Sequence, residues 1–225
     1  MKTLLIMILG GAALLSTGAR AADRDWTSYN DLLHITRLDK FYAAPAMQRD
    51  KVRVLGTMTP KNPAIAPSSI VFTVIHGEEK KRVEVGADGT FDPAIDAQWA
   101  KDNPRVITNM PPGEKAGFSF ALVPLVPPGL QLDYAMLMAS VQQSNALIRS
   151  QAGLLRFMLP TFTGIQMQYR SGQVTSVRIS SDQGERTLST DATGLLRLPL
   201  DEVLLRSNSQ VTLQQRPQSF DFIAD

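Results

Sequence analysis

The chain has 225 residues, 23 of them Lys or Arg, 21 Asp or Glu, and none Cys. The missing thiols exclude disulfide stapling, thiol catalysis, Cys-ligated zinc and iron–sulfur clusters, so stability must come from apolar burial. A composition of 44% hydrophobic and 20% charged residues is that of an ordinary globular protein.

The first residues read as a secretory signal. Lys2 supplies the positive start, Leu4 to Leu15 is an apolar run of twelve, and Ala19-Arg20-Ala21 fits the small-x-small cleavage pattern, making Ala22 the first mature residue. Twelve helical residues span about 18 Å, too short for a hydrocarbon core of about 30 Å, so no stable membrane span is expected in the mature form. Loss of Lys2 and Arg20 leaves 21 basic residues against 21 acidic ones. Nucleic-acid binding needs a basic surplus to neutralise phosphates, and none remains. The run Lys80-Lys81-Arg82 is flanked by Glu78, Glu79 and Glu84, the pattern of a solvated strand or turn. The expected residence is the periplasm, with secretion as the alternative.

After the signal, Trp26 to Tyr42 reads as a short amphipathic helix capped by Thr27 or Ser28, with Tyr29, Leu32, Leu33 and Leu38 as its stripe. From Val52 the apolar period changes to two. Val52 and Val54, then Ile70, Phe72 and Val74, then Val83 and Val85, predict half-buried strands separated by Pro-rich loops. Ala87-Asp88-Gly89-Thr90 is a turn, and Pro112-Gly113 suits the centre of a type II turn between Arg105–Thr108 and Ala116–Val123. Tyr134 to Met158 predicts a long helix capped by Asp133, with an apolar arc over about half its circumference. Gly153 inside it suggests a close backbone crossing. Alternation resumes at Ile165, Met167 and Tyr169, and again over Val174–Ile179, Arg186–Thr190, Leu195–Leu198, Val211–Leu213 and Phe220–Ile223, with a helical turn at Val203–Leu205.

The chain also resembles itself. Displaced by 105 residues, Val83–Pro112 falls on Leu188–Pro217 without a gap. Ala87, Gly89, Asp96, Asn103, Val106 and Pro112 meet Ala192, Gly194, Asp201, Asn208, Val211 and Pro217. Six identities in thirty exceed the roughly two expected by chance and indicate a duplicated unit. The predicted fold class is mainly β with helices (α+β): two similar antiparallel β-sandwich-like modules joined by a long amphipathic helix and preceded by a short N-terminal helix. The corresponding boundaries are 1–21 for the signal, 22–129 for the N-terminal helix and first module, 130–159 for the linking helix, and 160–225 for the second module.

Leu198-Pro199-Leu200-Asp201, followed by Leu204, Asn208 and Val211, resembles the closing motif of an uncharacterised family of small exported proteobacterial proteins. The resemblance covers about the last quarter of the chain and implies no activity and no site residue.

Chemistry is sparse. His34 and His76 are the two histidines, and they lie in segments of different type without metal spacing. The Gly-x-Ser-x-Gly elbow, the phosphate loop, the dinucleotide fingerprint and the Ser-x-x-Lys pair are all missing. Asp88, Asp92 and Asp191 lie beside glycine turns, where bonding to their own backbone outweighs a calcium site. Asp96, Asp201, Asn103 and Asn208 read as cap and turn positions, and Trp99, matched by Leu204, as core. Met136, Met138 and Met158 would line either core or an adaptable groove. No catalytic residue, cofactor or metal is assigned. The expected function is a non-enzymatic periplasmic protein acting in protein interaction or envelope support through its β-rich modules, with another envelope protein as partner. The alternatives are a hydrolase using carboxylates of Asp88, Asp92, Asp191 or Asp201, and a carrier with a small-ligand site between the modules.

Overall fold

The computed structural model describes residues 23–35, 38–93, 96–152 and 161–225. The signal and its cleavage positions Ala19, Ala21 and Ala22 lie outside these, as do Ile95, Gly153 and the predicted helix end at Met158. The chain belongs to the α+β class, and its strand pairings are antiparallel throughout the described residues.

Residues up to Pro124 build a first pair of sheets. Strands β1 (Arg24–Ser28), β2 (Val52–Pro60), β3 (Val71–His76), β4 (Glu79–Glu84), β5 (Thr90–Phe91), β6 (Arg105–Thr108) and β7 (Ala116–Pro124) assemble as β1-β6-β3-β4 and β5-β2-β7. Helices α1 (Tyr29–Ile35) and α2 (Leu38–Ala43) follow β1, and α3 (Ala97–Asp102) lies between β5 and β6. The predicted N-terminal helix therefore starts at Tyr29, the first residue of its apolar stripe, and not at Trp26. Arg24 to Ser28 pair with β6, and the helix begins at Tyr29. The Ser28 hydroxyl accepts the Asp31 N–H at 3.2 Å, which satisfies one of the helix's orphan donors.

The later chain builds a second pair. Strands β8 (Gln131–Asp133), β9 (Phe162–Gln168), β10 (Ser176–Ser181), β11 (Gly184–Ser189), β12 (Leu195–Pro199), β13 (Gln210–Leu213) and β14 (Ser219–Ala224) assemble as β8-β13-β10-β11 and β12-β9-β14. Helix α4 (Tyr134–Ala152) follows β8, and α5 (Glu202–Arg206) lies between β12 and β13.

The two pairs share strand order, and in the four-stranded sheets they share register. Phe72 faces Thr108 as Val177 faces Leu213, and Val74 faces Val106 as Ile179 faces Val211. His76 faces Glu79 as Ser181 faces Gly184. Each of these pairings is displaced by 105 residues. The Tyr29 N–H donates to Pro104 O at 2.9 Å, and the Tyr134 N–H donates to Ser209 O at 3.0 Å.

Helix α4 differs from the predicted linker. Leu132, two residues before it, is buried in β8 opposite Val211, so strand and helix run on from the second sheet. Leu137, Met138, Val141 and Leu147 are buried along the helix, while Gln142 and Arg149 stay exposed. It also touches the first half: Gln143 Oε1 accepts the Lys51 N–H at 2.8 Å, and its Nε2 donates to Asp50 Oδ1 at 2.8 Å. Arg216 ties the connection between the sheet pairs, donating to Gly129 O at 2.8 Å and Val126 O at 3.2 Å while its guanidinium lies 4.8 Å from the Phe220 ring.

Candidate functional site

The polar residues singled out from sequence are occupied locally. The Asp88 carboxylate accepts the Thr90 hydroxyl at 2.7 Å and the Thr90 N–H at 3.0 Å. Asp191 accepts the Thr193 hydroxyl at 2.6 Å and the N–H groups of Thr193 and Leu195 at 2.8 and 3.0 Å. In both, the threonine hydroxyl bond is the main cause that holds the carboxyl below the usual aspartate range. Asp96 and Asp201 cap α3 and α5, each accepting two backbone N–H groups from the helix's first turn. Asp92 lies 3.8 Å from Arg53, with both side chains at least half exposed. His34 is exposed beside Asp39, whereas His76 pairs with Asp102 at 2.8 Å on another element. Among the described residues no three His, Asp or Glu side chains cluster to hold a metal.

Asn103 and Asn208 take left-handed backbone conformations, φ 50° and 44°, and Asn103 caps the end of α3. Trp99 and Met138 are buried in the core, and Met136 is half-buried. Two residues that the sequence reading placed only on helix stripes and starts, Tyr29 and Tyr134, turn out to be equivalent. Tyr29 Oη accepts the Asp96 N–H at 2.9 Å, and Tyr134 Oη accepts the Asp201 N–H at 2.8 Å. Their 105-residue spacing is the signal that would have found them, because Tyr29 falls on Tyr134.

What the first pair of sheets adds is an aromatic crevice. In β1 the register passes from Asp25 opposite Ile107 to Thr27 opposite Val106, leaving Trp26 as an unpaired extra residue. Such a bulge re-aims the side chain it carries. The Trp26 ring sits 4.8 Å from Phe72 of β3 and 5.4 Å from Phe118 of β7. Phe91 of β5 closes the group, 6.2 Å from Phe72 and 5.8 Å from Phe120. Gly56, opposite both Phe91 and Phe120, makes room for the ring, since a Cβ there would stand 2.4 Å from the Phe91 ring. The void among these side chains is about 460 Å³ with its mouth included, of which about 30 Å³ is wide enough for water. Trp26, Leu32, Phe118 and Phe120 at this site are only half-buried. Tyr29 brings the one hydroxyl of the lining, which is engaged by Asp96, and the Trp26 indole N–H is its other polar side-chain group. Burial pushes the Tyr29 phenol up, so it stays neutral.

A second feature is the edge formed by β7. Sheet edges offer unpaired N–H and C=O groups to other strands, and charges commonly guard them. Most edge strands here contain a charge: β1 has Arg24 and Asp25, β8 Asp133, β11 Glu185 and Arg186, β12 Arg197, and β14 Asp221. β4 is the most guarded, with Glu79, Lys80, Lys81, Arg82 and Glu84 all exposed. Only β7 and the two-residue β5 have none. β7 is nine residues long, with Gly117, Ser119 and Ala121 exposed. The end of β7 and the start of β14 border a groove between the sheet pairs, lined by Val123, Pro124, Gln218 and Phe220 among others.

No curated protein and no solved structure is significantly similar to the chain. The match to a family model lies on residues 57–169, from within β2 to just beyond β9, and so stops short of the Leu198–Val211 motif. That span is half of the chain, which belongs to the family described as "Protein of unknown function (DUF2987)".

Proposed function

We propose that the protein is exported to the periplasm and acts there without catalysis, pairing with an extended segment of another envelope protein along β7. The observation that carries this reading is that β7, with β14 and α4 as its further neighbours, is a nine-residue edge strand without a charged side chain, whereas the other edge strands apart from the two-residue β5 each contain one. The signal at Lys2–Ala21 supports export. The exposed, locally bonded Asp88 and Asp191 on separate turns count against a carboxylate hydrolase, which needs two carboxyl groups facing one substrate.

We also infer that two copies of one module make up the chain, meeting near Gly129, so that α4 belongs to the second copy instead of linking two. Common strand order and the shared 105-residue register support this. On that reading the copies have diverged in use: the first has the uncharged edge strand and the crevice, and the second has the longer helix.

The test compares tagged mature protein with its Ser119→Lys form in affinity capture from cells. A charge on the edge strand should abolish recovery of the partner while leaving the melting temperature unchanged. Equal recovery by both forms would refute pairing along β7.

A further inference from the structure

We propose that the crevice around Trp26 is a binding site for a small uncharged apolar molecule, thin enough to slide between aromatic rings, such as a hydrocarbon chain or a planar ring. Two independent observations lead there.

The first is the bulge. An extra residue in an edge strand disrupts the ladder, and here it places the largest side chain of β1 against Phe72 and Phe118. The second is a comparison of the chain with itself. The second pair of sheets builds the same frame without these rings. β8 has no extra residue at this point, and Gln131 stands where the 105-residue displacement puts Trp26. Val177 takes the place of Phe72 and Leu196 that of Phe91. Phe120 faces Gly56 as Phe220 faces Met167, which sets Gln218 against Phe118. The fold therefore does not need the aromatic group, and the half-buried Trp26 and Phe118 are left at its mouth.

The ligand's chemistry follows from the lining. With no charged side chain, its single hydroxyl engaged and the Trp26 indole N–H as the one further donor, the site favours surface that is better removed from water. The narrow void means that Trp26 and Phe118, both partly exposed, swing aside as the ligand enters. Planar or chain-like molecules then gain ring contacts on both faces.

The experiment uses the full mature chain and the uncharged dye N-phenyl-1-naphthylamine, whose emission rises in apolar surroundings. Wild type should bind one dye saturably. Trp26→Gln and Phe118→Gln, which install the residues of the second half, should each weaken binding at least tenfold. Val174→Gln, at an exposed apolar residue elsewhere, should leave it unchanged. Displacement by dodecanol or by biphenyl then separates chain from planar ring. A second measurement needs no variant: an alkyl diazirine irradiated with wild type should label peptides containing Trp26, Phe72 or Phe118. Absence of saturable binding, unchanged affinity in a folded Phe118→Gln protein, or labelling confined to other peptides would overturn the proposal. The readout is purified protein and dye, so it stands or falls apart from partner capture at β7.

Discussion

Replacing Tyr134 by Phe removes one oxygen and unsettles two elements at once. The Tyr134 ring is fully buried, and its hydroxyl accepts the Asp201 N–H at 2.8 Å and donates to Pro199 O at 2.7 Å. It thereby pins the end of β12 to the start of α5. In Tyr134→Phe a backbone N–H and a backbone C=O lose their partner beside a buried ring, with Asp201 half-buried and Pro199 exposed. Each unsatisfied group costs about 1–3 kcal/mol, and partial relaxation brings the expected total to about 2–4 kcal/mol. For a chain of this size that is a fall in melting temperature of roughly 5–15 °C. Urea unfolding followed by far-ultraviolet circular dichroism gives the free energy directly, provided the slope is unchanged. Tyr29→Phe strips the Asp96 N–H of the same acceptor and should fall in the same direction. A loss below about 0.5 kcal/mol for Tyr134→Phe would refute the claim that this hydroxyl bridges strand and helix.

Gly194 has φ +79°, and a Cβ there would lie 2.4 Å from Arg170 O and 2.9 Å from Tyr169 O; Gly89 has φ +83°, with Met58 O at 2.4 Å. Gly194→Ala and Gly89→Ala should each lose more than about 2 kcal/mol, because backbone strain adds to a backbone clash. Gly172→Ala, with φ +74° but open space, should lose only about 1–2 kcal/mol in the same urea experiment. The Asp88 and Asp191 carboxyls are held low in the folded chain, so the stability they contribute is present above the unfolded aspartate value of about 3.9 and is lost as pH falls through their folded values. Carbon-detected NMR titration should find both below free aspartate, and Asp191→Asn should flatten the acid limb of the stability curve. Cell fractionation should place the chain in the periplasm with a mass starting at Ala22; an intact Met1 in the cytoplasm would contradict export.

Strands were legible where one face is buried and the other wet. Val52 and Val54 marked β2, and Phe72 with Val74 marked β3, because side chains alternate across a sheet with a period of two. The caps were legible too, since Asp96 and Asp201 precede short apolar turns and recur at the 105-residue spacing. What failed was local. Trp26 to Ser28 read as the head of a helix, yet they lie in β1, where Thr27 and Ser28 pair with β6 and tertiary pairing outweighs a weak local preference. Pro60, of the Pro-rich stretch after Val54 expected to be loop, ends β2, at a position where proline loses no internal ladder bond. The crevice was not legible, because Trp26, Phe72, Phe91 and Phe118 lie on four separate strands and meet only through sheet pairing. Nor was the uncharged edge: neutrality of Ala116–Pro124 gains meaning only once β7 stands at the border of its sheet.

Pairing along β7 is read most directly by placing a photo-crosslinking amino acid at Gly117, Ser119 or Ala121 in living cells, with Thr73 in the interior strand β3 as the control. The account predicts one adduct of the same mass from all three β7 positions and none from Thr73. A chain that remains unmodified at all three, or that yields the same adduct from Thr73, contradicts it.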